Sequence, residues 1–367
     1  MDTKKIIKKA KTKVFDADVT IDEEVTDGEA LSRKKGRTKS ASKERCSNAE
    51  QKPQSERGKQ IEQMLQNFVN NITDQGINGM RNLFKTELSP YTPNRTFKSW
   101  NANKVKNRYQ DIFCFDESRI KLTFDVPPQT DYIHANWVKF DGHERSYIAC
   151  QGPMANTVED FWRMVLQEQT TRIMNLTKNV ENGKVKCHQY WPENAGDYQN
   201  YGKIFVHTKK FERINEGIDV YTIEVLPEGC SNSTLVKLIH VTNWPDKGNP
   251  LEGRDVLRIL RVMSTADTPR NDPIAVHCSA GIGRTGTLIL IDVVLQKLFK
   301  CKEPVDLVKI FRTIRDQRSQ SILKEGQFLF AISSILEYLD LRFPKMFKEK
   351  CERFRKEFKQ LCTQMKD

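Results

Sequence analysis

The chain has 367 residues, enough for one large domain or two modest ones. Its formal net charge of +12 suits acidic partners (phosphoproteins, an anionic membrane face or nucleic acid), and since nothing specific to nucleic acid accompanies the charge, none is expected. No window approaches ~18 consecutive apolar residues, and the lysine-rich start lacks the roughly 7–15-residue apolar stretch of a secretory signal, so neither a transmembrane helix nor a leader is expected.

Residues 1–58 read as a disordered tail. They show no apolar periodicity: Lys4, Lys5, Lys8, Lys9, Lys11 and Lys13 form one basic run, residues 16–29 are acidic, and residues 33–39 form a second basic run in a Ser-rich stretch. The second run fits a nuclear address, but short basic clusters are common in tails and a plain solvated tail is the first expectation. Ser40 and Ser42 sit among the basic residues, where phosphorylation or nothing at all could occur. Order begins near Lys59, where Ile61, Met64, Leu65, Phe68, Val69 and Ile72 recur at helical spacing. From Asn107 strands and helices mix. Strands are expected at 147–150, 172–176, 203–207, 220–226, 235–241 and 274–277, and helices at 158–169, 255–264, 284–299, 305–317 and 325–341. The fold class is therefore α/β, a central twisted mixed β-sheet flanked by α-helices, in a domain over residues 59–342. Pro344 follows. In residues 343–367, Phe347, Phe354, Phe358, Leu361 and Met365 make an apolar stripe on a basic helix, which could dock on the domain, pair with a partner helix or lie on an anionic membrane.

The chemistry concentrates in Ile274-Ala275-Val276-His277-Cys278-Ser279-Ala280-Gly281-Ile282-Gly283-Arg284-Thr285-Gly286. An apolar strand ends at a cysteine, a small glycine-rich loop follows, and an arginine opens a long apolar helix. Successive N–H groups from Ser279, Ala280, Gly281, Ile282 and Gly283 and the helix N-terminus can converge on an anion. The glycines let the backbone come close. Arg284 can grip two phosphate oxygens with its planar fork. The same positive field should bring the Cys278 pKa from about 8.5 toward the ~3.5–7.5 range of activated thiols. A lone Cys is usually a small buried hydrophobe, but a strand–Cys–loop–Arg–helix arrangement is not a lone Cys. Gly281-Ile282-Gly283-Arg284-Thr285-Gly286 also fits G-x-G-x-x-G, yet the second strand with an acidic end that a dinucleotide site needs is missing: Lys300-Cys301-Lys302-Glu303-Pro304 is no such strand.

A thiolate attacking phosphorus leaves a phenol oxygen in need of a proton. Trp244-Pro245-Asp246-Lys247-Gly248-Asn249-Pro250 follows an apolar strand and precedes Cys278 by about 30 residues. Trp244 can anchor this loop while Asp246 swings over a substrate.

With these two segments together the chain resembles the phosphotyrosine-specific protein tyrosine phosphatases, over roughly residues 61–341. Lys106-Asn107-Arg108-Tyr109-Gln110-Asp111 resembles the family's substrate-recognition loop. The resemblance implies that Tyr109 stacks on the phosphotyrosine ring and that Asp111 holds the substrate backbone. Asp131-Tyr132-Ile133-His134-Ala135 is similar to D-Y-I-N-A, Gln151-Gly152-Pro153 through Phe161-Trp162 to Q-G-P…F-W, and Lys186-Cys187-His188-Gln189-Tyr190-Trp191-Pro192 to K-C-x-x-Y-W-P. Glu181 and Lys186 would flank the site, with His277, Thr285 and Trp244 supporting it. Arg315-Asp316-Gln317-Arg318 resembles the R-x-Q-R before the family's glutamine loop. A deep slot walled by an aromatic ring would suit a long, flat phosphotyrosine and leave phosphoserine short of the sulfur.

The implied activity is hydrolysis of phosphotyrosine in proteins through a phosphocysteine intermediate, without cofactor or metal. Nine cysteines without metal spacing, beside a thiolate enzyme, argue for a reducing, cytoplasmic setting. The oligomeric state stays open. Two positions depart from the pattern. Leu323 occupies the place of the glutamine that positions the hydrolytic water, although Gln327 is kept, and a leucine cannot hydrogen-bond water. His134 replaces an asparagine. The first departure feeds a rival reading, a phosphotyrosine-binding protein that turns over slowly. A dual-specificity phosphatase is the third option, disfavoured by the Tyr109 loop.

Overall fold

A computed structural model describes residues 56–245, 253–264 and 272–364. The N-terminal basic and acidic runs, Ser40, Ser42, Asp246 and Met365 lie outside the described residues.

A nine-stranded sheet carries the fold. Its strands are β1 (Arg119–Lys121), β2 (Tyr132–Val138), β3 (Tyr147–Cys150), β4 (Arg172–Asn175), β7 (Tyr198–Tyr201), β8 (Ile204–Asn215), β9 (Ile218–Pro227), β10 (Thr234–Val241) and β11 (Ile274–His277), with β5 (Val180–Glu181) and β6 (Lys184–Val185) forming a separate hairpin. The spatial order is β1-β2-β3-β11-β4-β10-β9-β8-β7. The central pairs β3–β11, β11–β4 and β4–β10 are parallel and the flanking pairs antiparallel, so the sheet is mixed. β11 and β4 are buried at every position, the pattern of strands covered on both faces. Central parallel strands deliver whatever follows their carboxyl ends into a crevice, and β11 delivers Cys278 there.

Helices cover both faces. On one lie α1 (Glu56–Leu83), α4 (Gly253–Met263), α5 (Gly283–Gln296), α6 (Leu307–Gln317), α7 (Glu325–Arg342) and α8 (Pro344–Gln364), around a core with Leu288, Phe311, Phe328 and Phe330 at its centre. On the other lies α3 (Val158–Gln167), with Phe161, Trp162, Tyr190 and Trp191 forming a second core. A short α2 (Lys98–Ala102) leads into the segment with Tyr109. Every residue of α5 from Arg284 to Gln296 is buried, which explains its almost continuous apolar sequence. Asp306 starts α6 by accepting a bond from the Lys309 N–H at 2.9 Å.

Of the three destinations open to the C-terminal helix, the structure shows docking on the domain. Phe347, Cys351, Phe354 and Phe358 of α8 enter the first core, and Arg355 reaches both Glu337 and Asp340 of α7. Burying each such phenylalanine stabilises by about 1.5–3 kcal/mol, which the basic outer face does not oppose.

Three differences from the sequence-based expectation have physical causes. β2 reads as a motif and not as a strand, because His134 and Asn136 interrupt its apolar run; both are buried and bonded to Arg318. β8 and β9 extend beyond 203–207 and 220–226 as a polar hairpin that cross-strand pairing continues, with Lys209 to Glu224 at 3.4 Å and Arg213 to Asp219 at 2.8 Å. The helix expected to reach Phe299 closes as α5 at Gln296, then a single wider turn runs over Lys297–Cys301.

Candidate active site

The loop after β11 is held by its carbonyls. The Leu176 N–H donates to His277 O at 2.9 Å, the Gly152 N–H to Ser279 O at 2.9 Å, and the Ile322 N–H to Ile282 O at 3.1 Å. Arg318 donates to Ala280 O at 2.9 Å and to Gly281 O at 3.1 Å. With these carbonyls drawn outward, the loop N–H groups are free to face inward, and those of Gly281 and Thr285 favour an anionic Cys278 sulfur. Gly281 is required here. Its φ is +70°, and a Cβ would lie 1.9 Å from Cys150 O. Gly152 is required too, because its Cβ would lie 2.6 Å from Cys278 O.

Cys278 is 5% exposed. Burial alone would push its thiol up, but the Arg284 guanidinium, the Thr285 hydroxyl and the two N–H groups outweigh it and hold the pKa below the ordinary thiol value. Among the described residues the buried Thr285 hydroxyl has no oxygen or nitrogen partner, which leaves it to the Cys278 sulfur. Cys114, Cys150 and Cys187 shift the other way: burial raises them, Cys114 to about 11 and Cys150 to about 12. Among these buried thiols only Cys278 is set up as a thiolate.

Arg284 donates to Leu176 O at 2.8 Å and meets Glu181 through two parallel bonds of 2.8 and 2.7 Å. Glu181 comes from the β5–β6 hairpin, so that small element aims the guanidinium. His277 is neutral. Its Nδ1–H donates to Cys278 O at 3.2 Å, its Nε2 accepts from the Tyr190 hydroxyl at 2.7 Å, and burial pushes its pKa down to about 3.

The Tyr109 loop meets the phosphate loop directly. The Tyr109 hydroxyl lies 2.8 Å from Ser279 Oγ, which donates to Lys186 O at 3.0 Å. Arg108 donates to Gly152 O, Pro153 O and Val185 O at 2.7–3.4 Å, and its own N–H donates to Gln151 Oε1 at 2.9 Å. Asp111 is exposed beside this loop, and its carbonyl accepts from Gln320 at 2.6 Å. The site is thus a narrow, N–H-lined anion cradle with an activated sulfur at its base and a tyrosine at its rim.

A sequence model described as protein-tyrosine phosphatase matches residues 103–337. The chain belongs to the protein-tyrosine phosphatase family. It is 39% identical over 239 residues to tyrosine-protein phosphatase 1 of Caenorhabditis elegans, a match covering 64% of this chain and 23% of that protein. It is 38% identical over 261 residues to receptor-type tyrosine-protein phosphatase U of Gallus gallus, covering 69% and 17%. It is 37% identical over 247 residues to tyrosine-protein phosphatase non-receptor type 4 of Mus musculus, covering 66% and 26%. The matched region spans about a quarter or less of each of these relatives.

Within this phosphatase domain the remaining sequence-predicted residues are placed as follows. Trp244 is buried and packs edge-on against Phe330 of α7 at 5.9 Å, a fixed base for the loop that continues to Asp246, which is outside the described residues. Gln327 lies against the phosphate loop: a Cβ on Gly283 would be 2.5 Å from its Nε2. Gln327 also accepts from the Lys324 N–H at 3.3 Å and so caps α7. Leu323 is 47% exposed on the segment between Ile322, bonded to the phosphate loop, and Gln327. Sequence reasoning assigned no role to Arg108, Gln151, Arg315 or Arg318, although all stand in its motifs. Arg315 donates to Leu88, Ser89, Tyr91, Ser321 and Ile322 carbonyls, tying α6 to the N-terminal segment and to the loop with Leu323. The available signal was two arginines closing an otherwise apolar helical pattern, Leu307 to Ile314, since burial of such a charge demands a set of acceptors.

Proposed function

We propose that the chain hydrolyses phosphotyrosine in proteins. The observation that carries this reading is the pairing of a depressed Cys278 thiol with an N–H cradle whose carbonyls are all engaged elsewhere. In the first step the Cys278 sulfur attacks phosphorus, the phosphorus–phenol bond breaks, and Asp246 gives its proton to the departing phenolate. In the second a water attacks phosphorus, the sulfur–phosphorus bond breaks, the thiolate returns, and Asp246 takes the proton of the water. Arg284 and the loop N–H groups hold the oxygens through both transition states. Tyr109, placed at the rim by Ser279, walls the slot for a phosphotyrosine ring, with Asp111 beside it for the substrate backbone. Glu181 and Lys186 come from the flank of the cradle. The partners are phosphotyrosine proteins in the cytoplasm. No helix of the described residues is long and apolar enough to cross a membrane.

Asp246→Ala is expected to lower kcat on a phosphotyrosine peptide by about 10²–10⁴-fold, and less on esters of acidic phenols that leave without help. Stopped-flow and steady-state assays on both substrate types measure this; equal losses would remove the proton-donor role.

A slow-turnover variant of the same reading is favoured by one observation. Leu323 offers no polar group to the water of the second step. Phosphocysteine should then accumulate, and rapid mixing with p-nitrophenyl phosphate should give a burst near one equivalent before a slow steady state. Leu323→Gln should raise the steady rate by about 5- to 150-fold, the equivalent of about 1–3 kcal/mol for one water contact, and shrink the burst. A linear time course unchanged by the substitution would mean that Gln327, already against Gly283, does the work.

A further inference from the structure

We infer that His134 is a positioning residue that locks the phosphate loop to the substrate loop through Arg318, an inference that adds a residue to the mechanism proposed above and rests on that reading of the site. Arg318 is completely buried, and each of its bonds goes to a neutral acceptor: Gly281 O at 3.1 Å, Ala280 O at 2.9 Å, Asn136 Oδ1 at 2.7 Å and His134 Nδ1 at 3.0 Å. No ion pair joins it to a carboxylate among the described residues. A buried guanidinium in that situation stays where its hydrogen bonds put it, and losing one acceptor costs more than losing an ordinary bond. Its place matters because it pulls two phosphate-loop carbonyls out of the cradle.

The other side of the imidazole faces the substrate loop. His134 Nε2 lies 3.0 Å from Ile112 O, the residue directly after Asp111. The partners fix the tautomer. A guanidinium only donates, so Nδ1 must carry the lone pair; a carbonyl only accepts, so Nε2 must carry the proton. The ring is neutral, and burial together with the Arg318 charge pushes its pKa down to about 3, so it stays an acceptor throughout the working range. An asparagine in this place can also accept with Oδ1 and donate with Nδ2. A phenylalanine keeps the ring and loses both functions.

The test uses His134→Phe and His134→Asn, with orthovanadate as the anion and calorimetric binding as the readout, beside kcat/KM on a phosphotyrosine peptide. His134→Phe should weaken vanadate at least ~10-fold while the protein stays folded by circular dichroism, and kcat/KM should fall with it. His134→Asn should restore vanadate affinity to within about threefold of wild type. Wild-type affinity in His134→Phe overturns the inference, as does failure of His134→Asn to recover any of the loss. If His134→Phe does not fold, the ¹⁵N spectrum of wild-type His134 decides: unprotonated Nδ1 with protonated Nε2 between about pH 5 and 7 supports the role, and the opposite tautomer or an imidazolium overturns it. Vanadate binding needs no turnover. A wild type that binds vanadate and hydrolyses nothing would count against the proposed hydrolysis and leave this test readable.

Discussion

Cys278→Ser is expected to abolish hydrolysis of both p-nitrophenyl phosphate and phosphotyrosine peptides while phosphopeptide binding survives. The cradle is made of backbone N–H groups and Arg284, none of which changes. What disappears is the nucleophile whose anionic form Arg284, Thr285 and the loop N–H groups favour. A serine would need a base to remove its proton, and the adjacent imidazole, His277, has both nitrogens engaged and a pKa near 3. Steady-state assays and calorimetry with a phosphotyrosine peptide give the two readouts. Residual turnover above about 1% of wild type would remove Cys278 from the role of nucleophile. In the wild type, alkylation by iodoacetate should persist at pH values below the ordinary thiol range, because the depressed pKa keeps the thiolate populated there.

Arg284→Ala should lower kcat/KM by roughly 10³–10⁵-fold, the range for removing an arginine that stabilises a phosphoryl-transfer transition state. The guanidinium supplies two things at once: a fork for phosphate oxygens and the largest favourable charge on the Cys278 thiolate. Removing it also leaves the Glu181 carboxylate, only 8% exposed, without its partner, so the protein should lose stability as well as activity. The double variant Arg284→Ala/Glu181→Gln separates the effects: thermal stability should recover and kcat/KM should not. Recovery of both would mean that Arg284 acts only by maintaining the hairpin. Arg284→Lys should regain little activity, because an ammonium replaces neither the pair of parallel hydrogen bonds to Glu181 nor the two-pronged grip on phosphate.

Local sequence determined the parts of this protein whose cause is local. Ile274 to Gly286 specified a strand, a tight loop and a helix start, because apolar continuity, glycine and arginine each carry their meaning in place. The apolar stripe of α8 likewise announced an amphipathic helix. What tertiary structure decided were destinations and partners. Whether that stripe met a membrane, another chain or the domain depended on the groove between α7 and α1, which no periodicity reveals. His134 and Arg318 read as polar interruptions in a motif and a helix end. They became a buried bridge only when β2 and the segment after α6 were brought together 184 residues apart along the chain. Glu181 found Arg284 across 103 residues in the same way. Hydrogen bonds between side chains depend on ångström-scale geometry that the packed cores supply. The one-dimensional pattern records the chemistry of each partner, and only the folded chain records which pairs meet.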